Sequence, residues 1–400
     1  MSRVEELIKE KCPDGVEYRK LEDILMYEQP TKYIVSSTEY DNSYPTPVLT
    51  AGQSFILGYT DEIDGVYKAS KETPVIIFDD FTTSFHWVDF QFKVKSSAIK
   101  MLRPRDWDKC NFRYLYYAMC TIDYVPVEHS RQWISNYSQF EIPVPPIEIQ
   151  QEIVRILDKF TKLEAELRSE LEARKKQYEY AMDSLVANRT DMFDILVGEA
   201  FDIITDYTAA GSFADLAKNV VYSNSPDYAQ LVRTMDIKSK FTKGAPVYVS
   251  ENAFKYLWRV NLDSEAVILP NIGNCGEVYY VVPKDLPYEN NVLGPNAILA
   301  RSTKHNNRYL SYALQTAEFQ RQLKKIISPA GQTKFNKTDL KKLTIKVPSI
   351  EEQEKIVELL DKFDRICNDL ECGLPAEIEA RHKQYEYYRD KLLTFKRKVV

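Results

Sequence analysis

Two long stretches of the chain carry apolar residues at helical spacing. In the first, Ile149, Ile153, Ile156, Phe160, Leu163 and Leu167 step by four, three, four, three and four, and the phase then slips through Leu171 to Tyr178, Met182 and Leu185. In the second, Ile356, Leu359, Phe363, Ile366 and Leu370 fall at matching places. A 3-4 stripe over several turns predicts a helix whose seam requires a partner. The remaining positions are of mixed charge, as on a solvated face. Pro145-Pro146 and Pro348 stand just before the stripes, where proline is tolerated. A helix of about 40 residues is roughly 60 Å long. Gly373 and Pro375 predict a break in the second stretch. Apolar runs at 75–78, 90–94, 266–269 and 278–282 predict strands, with turns at Ala51-Gly52, Asp64-Gly65, Ile272-Gly273 and Ala330-Gly331.

The two stretches are copies of one another. PPIEIQQEIVRILDKF from Pro145 matches PSIEEQEKIVELLDKF from Pro348 at an offset of 203, without a gap through Phe160 and Phe363. EARKKQYEY from Glu172 matches EARHKQYEY from Glu379 at an offset of 207, so the second copy carries four extra residues. RYLYYA at Arg113 matches RYLSYA at Arg308 at an offset of 195, which also sets Tyr18 and Leu21 opposite Phe213 and Leu216. IPVP at Ile142 matches IKVP at Ile345. One module therefore occurs twice: a mixed, strand-rich part of roughly 130–150 residues, then a long helix. The cheapest way to bury two similar stripes is against each other, and their separation in sequence lets them run antiparallel. The alternative is that each packs on its own domain or on another chain.

The chain has 400 residues, enough for two globular units and connecting structure. With 44% hydrophobic and 28% charged residues it can build real cores. No apolar run approaches the roughly 20 residues of a membrane span. MSRVEELIKEKCPDG is charged where a secretory signal is apolar, so the expected location is cytoplasmic, away from membranes. Cys12, Cys110, Cys120, Cys275, Cys367 and Cys372 form no CxxC pair and read as free thiols of a reducing compartment. A net charge of −6 argues against a nucleic-acid binder only until charge is mapped locally. Arg321, Lys324, Lys325, Lys334, Lys337, Lys341, Lys342 and Lys346 face the single acid Asp339 in their stretch, and the stretch from Lys93 to Arg113 holds seven basic residues against Asp106 and Asp108.

Catalytic signatures are missing. His86, His129, His305 and His382 form no pair at metal-ligand spacing, and no nucleophile elbow, Walker loop or dinucleotide fingerprint occurs. Asn224-Ser225-Pro226-Asp227-Tyr228 departs from the loop of amino-methyltransferases by an aspartate in place of the second proline. Pro226-Asp227 followed by Asp236-Ile237-Lys238 fits the loose PD…(D/E)xK spelling of metal-dependent nucleases, which arises easily by chance. What remains is four polar, aromatic loops. The candidates for DNA contact are Thr82, Thr83, His86 and Trp87 in one, and Arg131, Gln132, Trp133 and Asn136 in another. Asn271 and Asn274, then Gln332, Thr333, Lys334 and Asn336, hold corresponding places in the second half. Such side chains read base edges, while Lys and Arg hold phosphates. A duplicated module on a spacer suits a ligand with two half-sites.

The chain resembles the specificity subunit of type I restriction-modification systems. The resemblance rests on PDGVEYRKLEDI near the start, VPPIEIQQEIVRILDKF with EARKKQYEY in the centre, and VPSIEEQEKIVELLDKF with LPAEIEARHKQYEYYRDKLLTF at the end. It covers essentially the whole chain and departs at YAMDSLVANRTDMF, where the first copy lacks an ending like YYRDKLLTF. It implies an α+β fold with a pseudo-twofold repeat. Two mixed α/β target recognition domains, 1–144 and 196–347, alternate with a central helix, 145–195, and a distal helix, 348–400, the helices forming an antiparallel coiled coil. Each domain is expected to read one half of a bipartite site in double-stranded DNA. The helices are expected to set the spacing and dock two methyltransferase subunits, with restriction subunits joining. The chain itself is expected to be non-catalytic and without cofactor; S-adenosylmethionine, ATP and Mg belong to the partners. The rival readings are a coiled-coil scaffold that reads no DNA and a standalone nuclease of the PD-(D/E)xK kind.

Overall fold

The computed structural model describes residues 3–52, 54–187, 192–328, 333–369 and 372–398. The chain divides into two compact units, one made of 1–168 with 377–400, the other of 169–376. The helix Ile147–Val186 passes from the first unit into the second.

Each unit repeats one topology. In the first, a four-stranded antiparallel sheet has the order Leu25–Glu28, Ile99–Pro104, Val75–Asp79, Phe85–Val88. In the second, the order is Ile203–Asp206, Ala297–Arg301, Ala266–Pro270, Tyr279–Val281. A three-stranded sheet, Ile56–Thr60, Thr46–Leu49, Lys93–Val94, recurs as Val247–Val249, Ala229–Val232, Asn291–Leu293. Both combine an antiparallel and a parallel pairing. A two-stranded ribbon closes each unit, Tyr18–Lys20 with Glu141–Pro143 and Phe193–Leu196 with Thr344–Val347.

Strand alternation explains how the large sheet serves two cores at once. Ile76 and Phe78 face a core shared with Ile149, Ile153 and Leu157 of the long helix, while Val75 and Ile77 face a second core with Leu49 and Phe92. In the second unit Val267 and Leu269 meet Ile356 and Leu360, while Ala266 and Ile268 meet Leu231 and Val292.

The attachment of sheet to helix is duplicated bond for bond. The Asn111 N–H donates to Gln150 Oε1 (2.9 Å), and the Gln150 amide donates to Pro145 O (2.7 Å). At the repeat offsets, the Asn306 N–H donates to Gln353 Oε1 (3.0 Å) and Gln353 to Pro348 O (2.9 Å). Arg113 and the Tyr117 hydroxyl converge on Asp158 (3.0 and 2.6 Å), as Arg308 and Tyr312 do on Asp361 (2.7 and 2.5 Å). Burial pushes the Tyr117 phenol up to about 12, so it stays a donor at neutral pH.

Three expectations need adjustment. The pairing of the stripes is seen only in part: Ile149, Ile153 and Ile356 join the cores of their own units, and Leu163, Leu359 and Ile366 are exposed. Pairing within a unit runs antiparallel, with Phe160 stacked on Tyr388 (5.3 Å) and Glu164 bonded to His382 (3.2 Å) in the first unit. In the second, Tyr178 stacks on Phe363 (6.3 Å). Leu370 and Ala330-Gly331 lie outside the described residues. Secondly, Tyr18 and Leu21 do not correspond to Phe213 and Leu216. Pairing Arg19 with Ile142 and Ile195 with Ile345 makes Val197 the counterpart of Leu21, while Phe213 starts a separate helix, Phe213–Asn219. Thirdly, the 90–94 run yields only the strand Lys93–Val94. The break before Pro375 is present: helices Ile350–Asn368 and Leu374–Leu393 are separate. A Cβ on Gly373 would lie 2.5 Å from Arg365 O, so only glycine fits there.

Candidate nucleic-acid interface

In each unit two of the predicted loops, some fifty or sixty residues apart in sequence, meet at one end of the four-stranded sheet. In the first unit they meet on Asp80, which is 1% exposed and directly follows the strand Val75–Asp79. Its Oδ1 accepts from Trp133 N–H (2.8 Å), its Oδ2 faces Lys100 (3.1 Å) and Arg131 (3.2 Å), and its carbonyl accepts from Gln132 N–H (2.7 Å). Asp79 Oδ1 takes the N–H groups of Phe81 (2.9 Å) and Thr82 (2.8 Å), and Thr83 completes the turn at φ 60°. The Arg131 side chain, 52% exposed, remains open to a ligand, with its guanidinium 5.8 Å from the Phe81 ring centroid.

In the second unit the meeting is made mainly through backbone groups, with no ion pair among the described residues. The Gly273 N–H donates to Thr333 O (2.9 Å), the Thr333 hydroxyl donates to Gly273 O (2.6 Å), and the Phe335 N–H donates to Asn271 O (3.1 Å). Asn271 stands where Asp80 does. Sheet register makes Ile298 the counterpart of Lys100, since Phe78 pairs with Lys100 and Leu269 with Ile298.

The structure separates the singled-out residues into two sets. Thr82, Arg131 and Asn136 are exposed in the first unit, and Asn274, Thr333, Lys334 and Asn336 in the second. Gln132, 1% exposed, is consumed inside the fold: its amide oxygen accepts from Tyr124 and Asn136 (2.8 Å each) and its nitrogen donates to Ser130 O (2.9 Å) and Glu128 O (3.2 Å). Trp133 is a core residue packed on Phe78 (5.0 Å). Thr83 is buried, with its hydroxyl bonded to Thr82 O (2.7 Å). His86 Nε2 lies 3.0 Å from Gly52 O, and Trp87 packs on Phe112 (5.0 Å) beneath the Arg113 guanidinium. Asn271 is half-buried between the loops, and Asn336 caps the helix Lys337–Leu340. Gln332 lies outside the described residues. The residues that sequence reasoning missed are Asp80 and Lys100 as a pair. A lone lysine inside the apolar run Ile99-Lys100-Met101-Leu102 was the available signal.

The nuclease spelling resolves into packing: both Asp236 oxygens are taken by the Arg233 guanidinium (2.8 and 2.7 Å), and Lys238 is bonded to Glu277. The two basic stretches also part company. Lys93 pairs with Glu62 (2.7 Å), Lys100 with Asp80, Arg103 with Glu28 (3.1 Å), Lys109 with Asp106 (3.1 Å) and Arg113 with Asp158. The first stretch is thus largely neutralised from within, against expectation. Among the described residues no helix is long and apolar enough to cross a membrane.

The repeat seen in the fold is also a family pattern. The model of the type I restriction modification DNA specificity domain matches twice, at residues 13–173 and 198–380. The chain belongs to this family. It is 39% identical over 403 residues to the type I restriction enzyme EcoR124I/EcoR124II specificity subunit of Escherichia coli, covering 96% of each chain. It is 27% identical to a putative type I restriction enzyme specificity subunit of Haemophilus influenzae, covering 96% of this chain and 98% of that one. Its fold matches the crystal structure of a type I restriction-modification S subunit from M. genitalium, with TM-score 0.53 and 16% identity over 95% of this chain and 96% of that one. A chain from a study of complex assembly and conformational transition of the type I system matches with TM-score 0.53 and 15% identity, covering 95% of this chain and 98% of that one. As a type I specificity subunit, the chain uses its two family segments to frame the two loop pairs.

Proposed function

We propose that this specificity subunit reads a bipartite site in double-stranded DNA, one half-site per unit, through the loops that meet on Asp80 and on Asn271. The observation that carries the reading is the repetition of one sheet topology, a helix attachment duplicated bond for bond, and a pair of loops meeting at the same end of the sheet. A ligand with two half-sites is what such a duplication serves. Two methyltransferase subunits dock on the helices, restriction subunits join them, and S-adenosylmethionine, ATP and Mg are held by those partners, so adenine methylation and cleavage occur outside this chain. The recognition domains are 1–144 and 196–347, and the helical segments within 145–195 and 348–400 set the spacing between half-sites. Four residues inserted after Leu167 add about one turn, or about 6 Å, against a rise of about 3.4 Å per base pair. Sequencing of modified adenines in cells carrying the whole system should then show the gap lengthened by about one to two base pairs, with both half-sites kept. Modification at the original spacing by a folded, active variant would refute the helix as the spacer.

A further inference from the structure

Beside the loop pair of the second unit stands a short helix with no counterpart among the described residues of the first. The helix pair Phe112–Met119 and Asn307–Ala313 corresponds at an offset of 195, but Arg131 corresponds to Lys334 at 203, so the second unit carries extra chain between them. The extra chain forms the helix Ala317–Ile326. Thr316 caps its start, with its hydroxyl accepting from Phe319 N–H (3.4 Å), and Phe319 and Leu323 bury its inner face in the core. Gln320 ties it to the first loop through Gly276 O (2.9 Å), and the Ser328 N–H, just past its end, donates to Lys334 O (3.0 Å). The helix is therefore fixed to both loops of the candidate interface.

Past the exposed Glu318 of its first turn, its outer face is basic. Arg321, Lys324 and Lys325 are exposed at i, i+3 and i+4, a spacing at which like charges repel. Among the described residues none of these three, nor Lys334, has a carboxylate within ion-pair distance, whereas Lys337 is paired with Asp206 (2.9 Å) and Lys342 with Asp339 (3.0 Å). The corresponding segment of the first unit, 120–130, holds Asp123 and Glu128 and no lysine or arginine. Val125 and Val127 are exposed there instead, 78% and 97%. A cluster kept at the cost of self-repulsion and without an internal partner fits a polyanion.

We propose that Arg321, Lys324, Lys325 and Lys334 form a phosphate grip on the DNA backbone beside the second half-site, so that the second unit supplies most of the sequence-independent affinity. The inference rests on the DNA-reading function above and adds which surface holds the backbone. The grip contributes equally on any sequence, because phosphates carry no base identity.

The test uses the full chain in complex with its methyltransferase subunits, a mixed-sequence duplex and a duplex bearing the recognised site. Log affinity is followed against log salt for wild type and for Arg321→Gln/Lys324→Gln/Lys325→Gln. These side chains are exposed and glutamine is a good helix former, so folding is preserved and is checked by circular dichroism. The salt slope should become shallower by about two to three, roughly 0.9 for each phosphate no longer neutralised. Affinity should fall by the same factor on both duplexes, and the modified sequence should stay the same. Lys218, Lys243 and Lys284 are likewise exposed in the second unit, and Lys218→Gln/Lys243→Gln/Lys284→Gln, which removes equal charge away from the helix Ala317–Ile326, should leave the slope alone. An unchanged slope in the first variant, or an equal loss in the second, overturns the grip while leaving DNA reading intact. A wild-type complex that binds neither duplex overturns the reading and the grip together.

Discussion

In the first unit the two loops are joined through a buried charge, Asp80 with Lys100 and Arg131; in the second the same positions are Asn271, Ile298 and Lys334, and the joint is made by neutral hydrogen bonds, mostly to backbone. The same sheet register accommodates both solutions. A buried ion pair is weak evidence for stability, because desolvation offsets much of its attraction. Its consequence here is positional. Arg131 is held against Asp80, and its planar fork suits directional, bidentate contacts; the Lys334 side chain has no ion-pair partner among the described residues, and its ammonium suits a point contact with phosphate. The comparison teaches that the repeat conserves how loops are presented and varies what they present.

The largest expected effect breaks the joint of the first unit. Asp80→Asn leaves Lys100, 1% exposed, charged and unpartnered, which should cost about 3–5 kcal/mol. Asp80→Asn with Lys100→Ile copies Asn271 and Ile298 and should recover most of that loss. Hydrogen exchange of the Val75–Asp79 amides measures both. A double variant no more stable than the single would show that the two joints are not interchangeable.

Next, Arg131→Ala should weaken discrimination at the first half-site by about 1–3 kcal/mol and leave the second unchanged, read from modified-adenine sequences. Gln132→Ala should instead lower stability without changing the sequence read, because its amide bonds only protein groups. If Gln132→Ala relaxes specificity in a stably folded chain, the division between exposed and spent side chains is wrong.

A smaller asymmetry lies at the helix attachments. Arg308 keeps a second carboxylate, Asp364 (2.9 Å), when Asp361 is lost, whereas Arg113 pairs with Asp158 alone among the described residues. Asp158→Ala should therefore destabilise its unit by about 1–2 kcal/mol, and Asp361→Ala by less. Urea unfolding compares them, and equal losses would mean that Asp364 adds nothing.

The smallest difference is in pH response. Burial, with the Lys304 cation, lowers the proton affinity of His305, whose counterpart in the first unit is Cys110. The unfolded chain then binds the proton first, so the contribution is complete above about pH 6.5 and is lost as pH falls below it. Hydrogen exchange between pH 7 and 5.5 should show the second unit weakening through this histidine, and His305→Cys should remove the response.

The repeat, the long helix, the break at Gly373 and the pairing of loops across the halves were legible because each leaves a local trace in residue order. The fate of individual loop residues was not. Gln132 and Asn136 look alike as polar loop residues, yet one is buried by Tyr124 and Ser130 and the other faces solvent. Tyr18 aligned with Phe213 by spacing alone, and only strand pairing exposed the true register. The seam was legible only in part for a related reason: apolar periodicity shows that a helix face is covered and does not say by what.

The central claim is that each unit reads its half-site independently of the other. Replacing residues 200–343 with the matching region of a relative leaves the ribbon Phe193–Leu196 with Thr344–Val347, and both long helices, in place. Sequencing of modified adenines in cells carrying that chimaera should show one half-site changed to that of the relative and the other retained at the original spacing. If both half-sites change together, the two units do not read separately and the account fails.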